Sequence, residues 1–359
     1  MPPLSGIHVL DLSLLLPGPL ATQVLRDLGA RVTKVEPPSP GDYMALWPPM
    51  VGPISATYAA VNRGKTIVSL NLKLDADRAR FLDLVREADV VLEGFRPGVI
   101  DKLGIGFPVL SRVNPRVILC SVSGYGQHGP YAQRAGHDLN YQALAGVLSI
   151  SGGAEASPAN PPLQVADTAA GSYAAAMLVL AALFERHSTG RGRHIDVSMS
   201  EQLLPLMTTL YAAADALERD PQRDGELLSG GAPCYRVFRT KDGQFITIGA
   251  LEPKFWAALV TRLGMPELIE APFHGGPDSL ATLARLSDAF ATRTRAQCEA
   301  LLGDADACCE PVLTFGEVRE HPHWQARQSF LSLPTPDGRT LHVPKMPGSL
   351  AGFDTEENA

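Results

Sequence analysis

The sequence is short of the markers by which the commonest enzyme classes are read. Its five cysteines, Cys120, Cys234, Cys298, Cys308 and Cys309, are odd in number and scattered, with no CxxC or CxxH spacing. That pattern gives neither a disulfide framework nor a zinc site, no metal is expected, and a reducing cytoplasm is the compartment it fits. A net charge of −7 with 19% charged residues leaves no basic surplus to grip a nucleic acid backbone or an anionic membrane. Long hydrophobic runs are also missing. The opening MPPLSGIHVLDLSLLLPGPL has no basic residue ahead of its apolar stretch and is broken by Asp11, so it is not read as a signal peptide. The stretch AAAMLVLAALF falls short of the roughly 20 residues a membrane span needs and reads as a buried helix. A Walker A loop and a GxSxG elbow are absent, which removes nucleotide-triphosphatase and serine-hydrolase chemistry. So is GxGxxG: the first turn is LLPGPLA, with prolines on both sides of Gly18. A dinucleotide-binding protein is therefore not expected, even though Glu36 ends the second strand where a ribose-binding acid would lie.

What is present is a 45% hydrophobic chain of 359 residues, long enough for about two domains. GIHVLDL, GPLATQVLRDLG and ARVTKVEPP read as strand, helix and strand, with Gly29 ending the helix. KTIVSLNL, ADRARFLDLVREA, DVVLEGF and RVILCSVS continue the alternation, separated by helical turns over residues 99–113. Alternation of this kind predicts an α/β fold with a parallel, Rossmann-like sheet. We assign residues 1–195 to this large domain, 196–226 to a linker helix, and 227–308 to a smaller α+β domain opened by the hairpin YRVFRTKDGQFITIGAL. Residues 309–359 are a linker and a Pro-rich return to the large domain.

A few acids, one histidine and several cations stand at element ends. Asp138 precedes apolar positions at helical spacing and reads as an N-cap, which puts His137 just outside the helix at its positive end. There His137 is either a structural neighbour of the cap or a base kept neutral by the helix. Asp167 heads the long helix TAAGSYAAAMLVLAALFERH, where capping is the default, but the small residues Ala169, Ala170, Gly171 and Ser172 leave room for a ligand. Glu252 precedes Pro253, a good first helical residue, yet glutamate is not a preferred cap. Arg96 follows the carboxyl end of a strand, the edge where open α/β sheets bind ligands, and a solvated turn would look the same. Asn62, Arg63 and Lys65, in VNRGKTIV, either meet phosphates or form an exposed loop.

Together these segments resemble the family III CoA-transferases (CaiB/BaiF superfamily), and within them the alpha-methylacyl-CoA racemases. The blocks GPLATQVLRDLGARVTKVEPPSPGD, NRGKTIVSLNLK, EGFRPGVIDKLGIG, SGYGQHGPYAQRAGHD and PVLTFGEV carry the general resemblance, and GHDLNY, GGAPCY and GALEPKFW point to the racemases. The resemblance implies His137 and Asp167 as the two catalytic bases, with Glu252 paired to the histidine. It also implies an acyl-CoA substrate without a separate cofactor, and an interlocked homodimer in which Glu252 meets His137 across subunits. Pro37 and Pro38 stand where some racemases have an arginine for the CoA phosphates, which leaves Arg96 as the first phosphate candidate, with Asn62, Arg63 and Lys65 behind it. The helix-start amide near Asp138 is the candidate donor to an enolate oxygen. In the transferases the aspartate at the position of Asp167 becomes a CoA thioester, so CoA transfer is the alternative activity.

Overall fold

The computed structural model describes residues 1–345. Strands β1 (His8–Asp11) and β2 (Arg31–Glu36) are followed by a two-residue ribbon of β3 (Met50–Val51) with β4 (Ile54–Ser55). Then come β5 (Thr66–Ser69), β6 (Val90–Glu93), β7 (Ile118–Ser123) and β8 (His194–Ser198). All but the ribbon form one parallel six-stranded sheet in the order β5-β2-β1-β6-β7-β8. Strands β1, β6 and β7 are buried along their whole length, as expected where helices cover both faces. Between β1 and β2 the helix Pro17–Asp27 starts on a proline that has no amide to leave unpaired. It ends at Gly29, whose φ of +103° lets the Ala30 amide turn back onto the Leu25 carbonyl at 3.1 Å.

The chain leaves β1 for β2 on one side, whereas β6 begins the run to β7 and β8 on the other. That reversal makes the carboxyl ends of β1 and β6 the switch point, where the loops diverge and open a crevice.

Two compact units divide the chain. The first comprises Met1–Ala145, Pro162–Thr208 and the chain from His323 on; the second comprises Gly146–Pro161 and Thr209–Pro322. The stretch expected to be one linker helix is two, Met199–Leu206 and Thr208–Leu217, with Pro205 supplying no amide to the ladder, and the division falls at this break. In the second unit β9 (Tyr235–Arg239) and β10 (Phe245–Gly249) form the expected hairpin, with Gly243 in the turn at φ +76°. Strand β11 (Cys309–Pro311) pairs antiparallel with β10, so this unit extends beyond residue 308. Its core is built on Trp256, whose ring stacks on Phe273 at 4.9 Å and whose indole N–H donates to the Leu268 carbonyl at 2.8 Å.

The apolar helix is longer than the sequence suggested. Wide π-helical turns over Ala166–Tyr173 run straight into the α-helix Ala174–Thr189, giving 24 residues. By length and composition that run could cross a membrane, but half of its most apolar window is buried inside the protein. Arg186 pins it to the sheet through Asp89 at 2.7 Å and the Arg116 carbonyl at 3.0 Å. At the end of the described chain, β12 (Phe330–Pro334) and β13 (Thr340–Pro344) form a hairpin whose Arg339 donates to the Met50 carbonyl. The remainder of the expected C-terminal return, residues 346–359, lies outside the described residues.

Beneath the loop that follows β1 lie four charged side chains with no exposed surface. Lys65 Nζ donates to Asp11 at 3.1 Å, to Thr22 Oγ1 and the Pro19 carbonyl at 2.8 Å, and to Asn62 Oδ1 at 2.9 Å. Lys34 Nζ lies 3.2 Å from Asp42 and donates to the Ser13 carbonyl at 2.6 Å. Burial alone would raise the Asp11 pKa, but the charges of Lys65 and Lys34 hold its carboxyl well below the usual range. Lys65→Met leaves Asp11 buried without the cation bonded to it, and should cost roughly 3–5 kcal/mol of folding stability. Denaturant unfolding measures this; a variant as stable as the wild type would show that the network contributes nothing.

Candidate active site

At the switch point is a cavity of about 370 Å³ whose lining comes entirely from the first unit. Its walls are strand-end loops: Ser13, Leu14 and Leu15 after β1, Gly94 to Pro97 after β6, Gly124 and Tyr125 after β7, and Met199 after β8. His137, Tyr141 and Asp167 complete it from the helical segments. His137 and Asp167, 30 positions apart and paired by the family resemblance, thus face one cavity.

His137 is itself the N-cap of the helix Asp138–Leu144, and Asp138 is the first helical residue rather than the cap. His137 keeps an extended backbone, and its N–H donates to Asn140 Oδ1 at 3.0 Å while its carbonyl accepts from Asn140 and Tyr141. The residue as a whole is exposed. The peptide before it is held by Tyr141, one turn later, whose hydroxyl donates to the Gly136 carbonyl. A Cβ at Gly124 or Gly136 would overlap the Tyr141 ring, and Tyr125 packs edge-on against it at 5.1 Å. The two glycines are thus the space into which this ring fits.

The Asp138 carboxylate acts elsewhere. One oxygen accepts the Asp167 backbone N–H at 3.0 Å and the other accepts the Gln142 side-chain amide. Asp167 does not cap a helix, because it is the second residue of the π-helical turns and Val165 holds the cap position. Wide turns of this kind recur at functional sites. Ser172 Oγ fixes the turn by donating to the Asp167 carbonyl at 2.9 Å and to the Pro17 carbonyl at 2.7 Å. Burial, and then the charge of Asp138, push the Asp167 carboxyl up to about 7.

Arg96 reaches the cavity from an exposed position. Its loop is braced by Glu93, a buried carboxyl that accepts the Phe95 N–H at 2.6 Å and is itself pushed up to about 7, chiefly by burial. Asn62, Arg63 and Lys65 do not line this cavity. Lys65 and Asn62 are buried and bonded to each other, and Arg63 is held by Asp27 and by the Ala60 carbonyl at 2.9 Å. Their phosphate role is corrected accordingly: these side chains face inward, and Lys65 is surrounded by protein acceptors. Glu36 is also structural, accepting the Tyr58 hydroxyl at 2.8 Å. Glu252 belongs to the second unit, where it holds the cap position of the helix Pro253–Arg262 without its side chain capping it. Sequence reasoning missed Tyr141, Tyr125 and Arg134. Tyr141 was legible as the residue one helical turn from His137; Arg134, which lines the cavity while lying over the Tyr131 ring at 3.6 Å, carried no such signal.

An imidazole and a carboxyl with raised proton affinity, facing one cavity at a sheet switch point, define an enzyme of acid/base or nucleophilic chemistry on an open α/β sheet. The sequence as a whole supplies the family: residues 4–358 match CoA-transferase family III, and the chain belongs to it. It is 37% identical to alpha-methylacyl-CoA racemase of Homo sapiens, over 99% of this chain and 92% of the relative. It is also 35% identical to acetyl-CoA:oxalate CoA-transferase of Acetobacter aceti, over 98% of this chain and 90% of that protein. The crystal structure of a CAIB/BAIF family protein from Brucella suis superposes with a TM-score of 0.80 at 28% identity, covering 96% of both chains.

The raised Asp167 pKa has a consequence for stability. Between the unfolded value, near ~4, and about 7 the folded state holds a proton that the unfolded state releases, so this contribution is full below pH 4 and lost as pH rises through 7. Asp167→Asn removes that loss. The melting temperature of the variant relative to wild type should therefore rise between pH 4 and pH 8, by roughly 2–4 °C for each kcal/mol recovered. An equal difference at both pH values would mean that Asp167 titrates as an ordinary carboxylate.

Proposed function

We propose that the protein is a racemase or epimerase of 2-methylacyl-CoA thioesters. The observation that carries this is the pairing of His137 with a carboxyl of raised pKa at one cavity. Inversion at a carbon next to a thioester carbonyl removes the α-proton, passes through a planar enolate, and returns a proton to the opposite face. One group must be a free base while the other holds a proton, and both must titrate near neutrality. An ordinary aspartate is too weak a base for this; Asp167, pushed up to about 7, is not. For one stereoisomer His137 takes the α-proton and protonated Asp167 delivers its own, and for the other the roles reverse. We assign the enolate oxygen to the Asp138 amide, which as the first of its helix has no intrahelical acceptor.

We assign the CoA phosphates to Arg96 and to Arg134, which lines the same cavity. The two acid/base groups need no cofactor beyond the CoA that carries the substrate. The chain acts as an interlocked homodimer in which Glu252 accepts from the second ring nitrogen of His137 in the other subunit, fixing the tautomer. Its five free cysteines fit the cytoplasm.

The alternative, CoA transfer through a thioester on Asp167, is kept in view by the transferases among the relatives. A carboxyl protonated near neutrality suits proton transfer better than nucleophilic attack. Incubation with 2-methylacyl-CoA in deuterated water should exchange the α-proton and equalise the two stereoisomers. His137→Ala or Asp167→Ala should slow that exchange by roughly 10²–10⁴-fold. Absence of exchange with bound substrate, together with a hydroxylamine-sensitive CoA adduct on Asp167, would assign the protein to the transferases instead.

A further inference from the structure

One side chain touches the frameworks of both acid/base groups. Asp138 follows His137 in the chain and opens the helix that His137 caps. Its carboxylate oxygens are divided between the Asp167 backbone N–H, at 3.0 Å, and Gln142, which is fully buried and one turn along the same helix. Gln142 holds the carboxylate to its own helix, and the carboxylate holds the π-helical turn of Asp167. Ser172 secures the carbonyl side of the same residue. The backbone of Asp167 is therefore fixed at both ends, with a carboxylate at one of them.

The other charged or titratable groups lining the cavity are Arg96 and Arg134 from strand-end loops, His137 at the helix start, and the hydroxyls of Tyr43, Tyr125 and Tyr141. The flanking contributions of the helices Pro17–Asp27 and Met199–Leu206 are Pro17, Gly18 and Met199, which carry no charge. Asp138 is thus the anion bonded to the Asp167 backbone from the facing element.

We propose that Asp138 is a positioning residue that matches the proton affinities of the two bases, fixing Asp167 through its amide and placing a negative charge beside the Asp167 carboxyl. This rests on the racemase function proposed above. A two-base enzyme works in both directions only if its two forms, free imidazole with carboxylic acid and imidazolium with carboxylate, lie close in free energy. A carboxyl in an ordinary environment would leave the second form dominant, because imidazoles titrate well above carboxylates. Desolvation supplies the larger part of the correction at Asp167 and the neighbouring charge of Asp138 supplies the rest.

The test separates charge from shape. Asp138→Asn keeps an oxygen to accept the Asp167 N–H and removes the charge. ¹³C NMR of carboxyl-labelled protein, with the Asp167 resonance assigned by its loss in Asp167→Asn, should show the Asp167 midpoint falling by roughly one pH unit in Asp138→Asn. Asp138→Glu, which restores a charge, should return it most of the way, and the acid limb of the exchange rate should move with it. If Asp138→Asn does not fold, Asp138→Ser removes the same charge and gives the same readout. A midpoint unmoved in a folded, uncharged variant overturns the role of Asp138. The titration needs no substrate, so failure of wild-type α-proton exchange would sink the racemase function separately and leave this measurement readable.

Discussion

The site depends on a buried charge network that makes a short loop rigid. Ser13, Leu14 and Leu15 form one wall of the cavity, and a loop of this length between a strand and a helix has few bonds of its own. Asp11 takes the Ser13 N–H at 2.9 Å and its hydroxyl, Lys34 takes the Ser13 carbonyl, and Asp42 takes the Leu15 N–H at 3.1 Å. Leu15 is held at φ +63°, a region disfavoured for any residue but glycine, and persists there because its surroundings leave it no alternative. Gly18 completes the fit, since a Cβ there would overlap Ser13. Gly18, which belongs to no nucleotide-binding fingerprint, is needed to pack the loop against its own helix.

The same logic recurs around the cavity. Two other strand-end loops are held by carboxyl groups: the buried Glu93 accepts the Phe95 amide, and the half-buried Asp196, on β8, accepts the Gln127 amide at 3.0 Å in the loop after β7. The parallel sheet supplies ends that converge, and buried carboxylates turn those ends into defined backbone. The carboxylates need tertiary partners to remain buried, and those partners come from far along the chain; Lys65 lies 54 residues from Asp11.

That distance explains what could and could not be read from the sequence. The strands and helices of the sheet were legible because apolar periodicity is local and the glycines and prolines marked their ends. His137 and Asp167 were legible as acid/base candidates through the resemblance, whereas their local readings as cap neighbour and cap came from preferences that consider only the adjacent helix. The π-helical turns escaped because a widened helix is set by what packs against it, here Pro17 and Met199, which lie within 3.2 Å of where a Cβ on Gly171 would be. Asn62, Arg63 and Lys65 were misassigned for the corresponding reason: a basic cluster beside a glycine looks the same whether it faces solvent or a buried aspartate.

The placement of Asp167 carries a cost that the rest of the fold must absorb. A carboxyl that keeps its proton near pH 7 must be partly removed from water or set beside another negative charge. The fold does this by putting Asp167 in a turn of small residues and facing it with another carboxylate. Both choices weaken local stability: glycine and widened turns make poor helix, and like charges repel. The long helix that follows offsets this through Ala175, Ala176, Val179 and Ala182, buried against the sheet side, and through Arg186 at its far end. One continuous helix therefore joins the widened turns that carry Asp167 to a tightly packed end. A reactive carboxyl on a free loop would lose the proton affinity that desolvation provides.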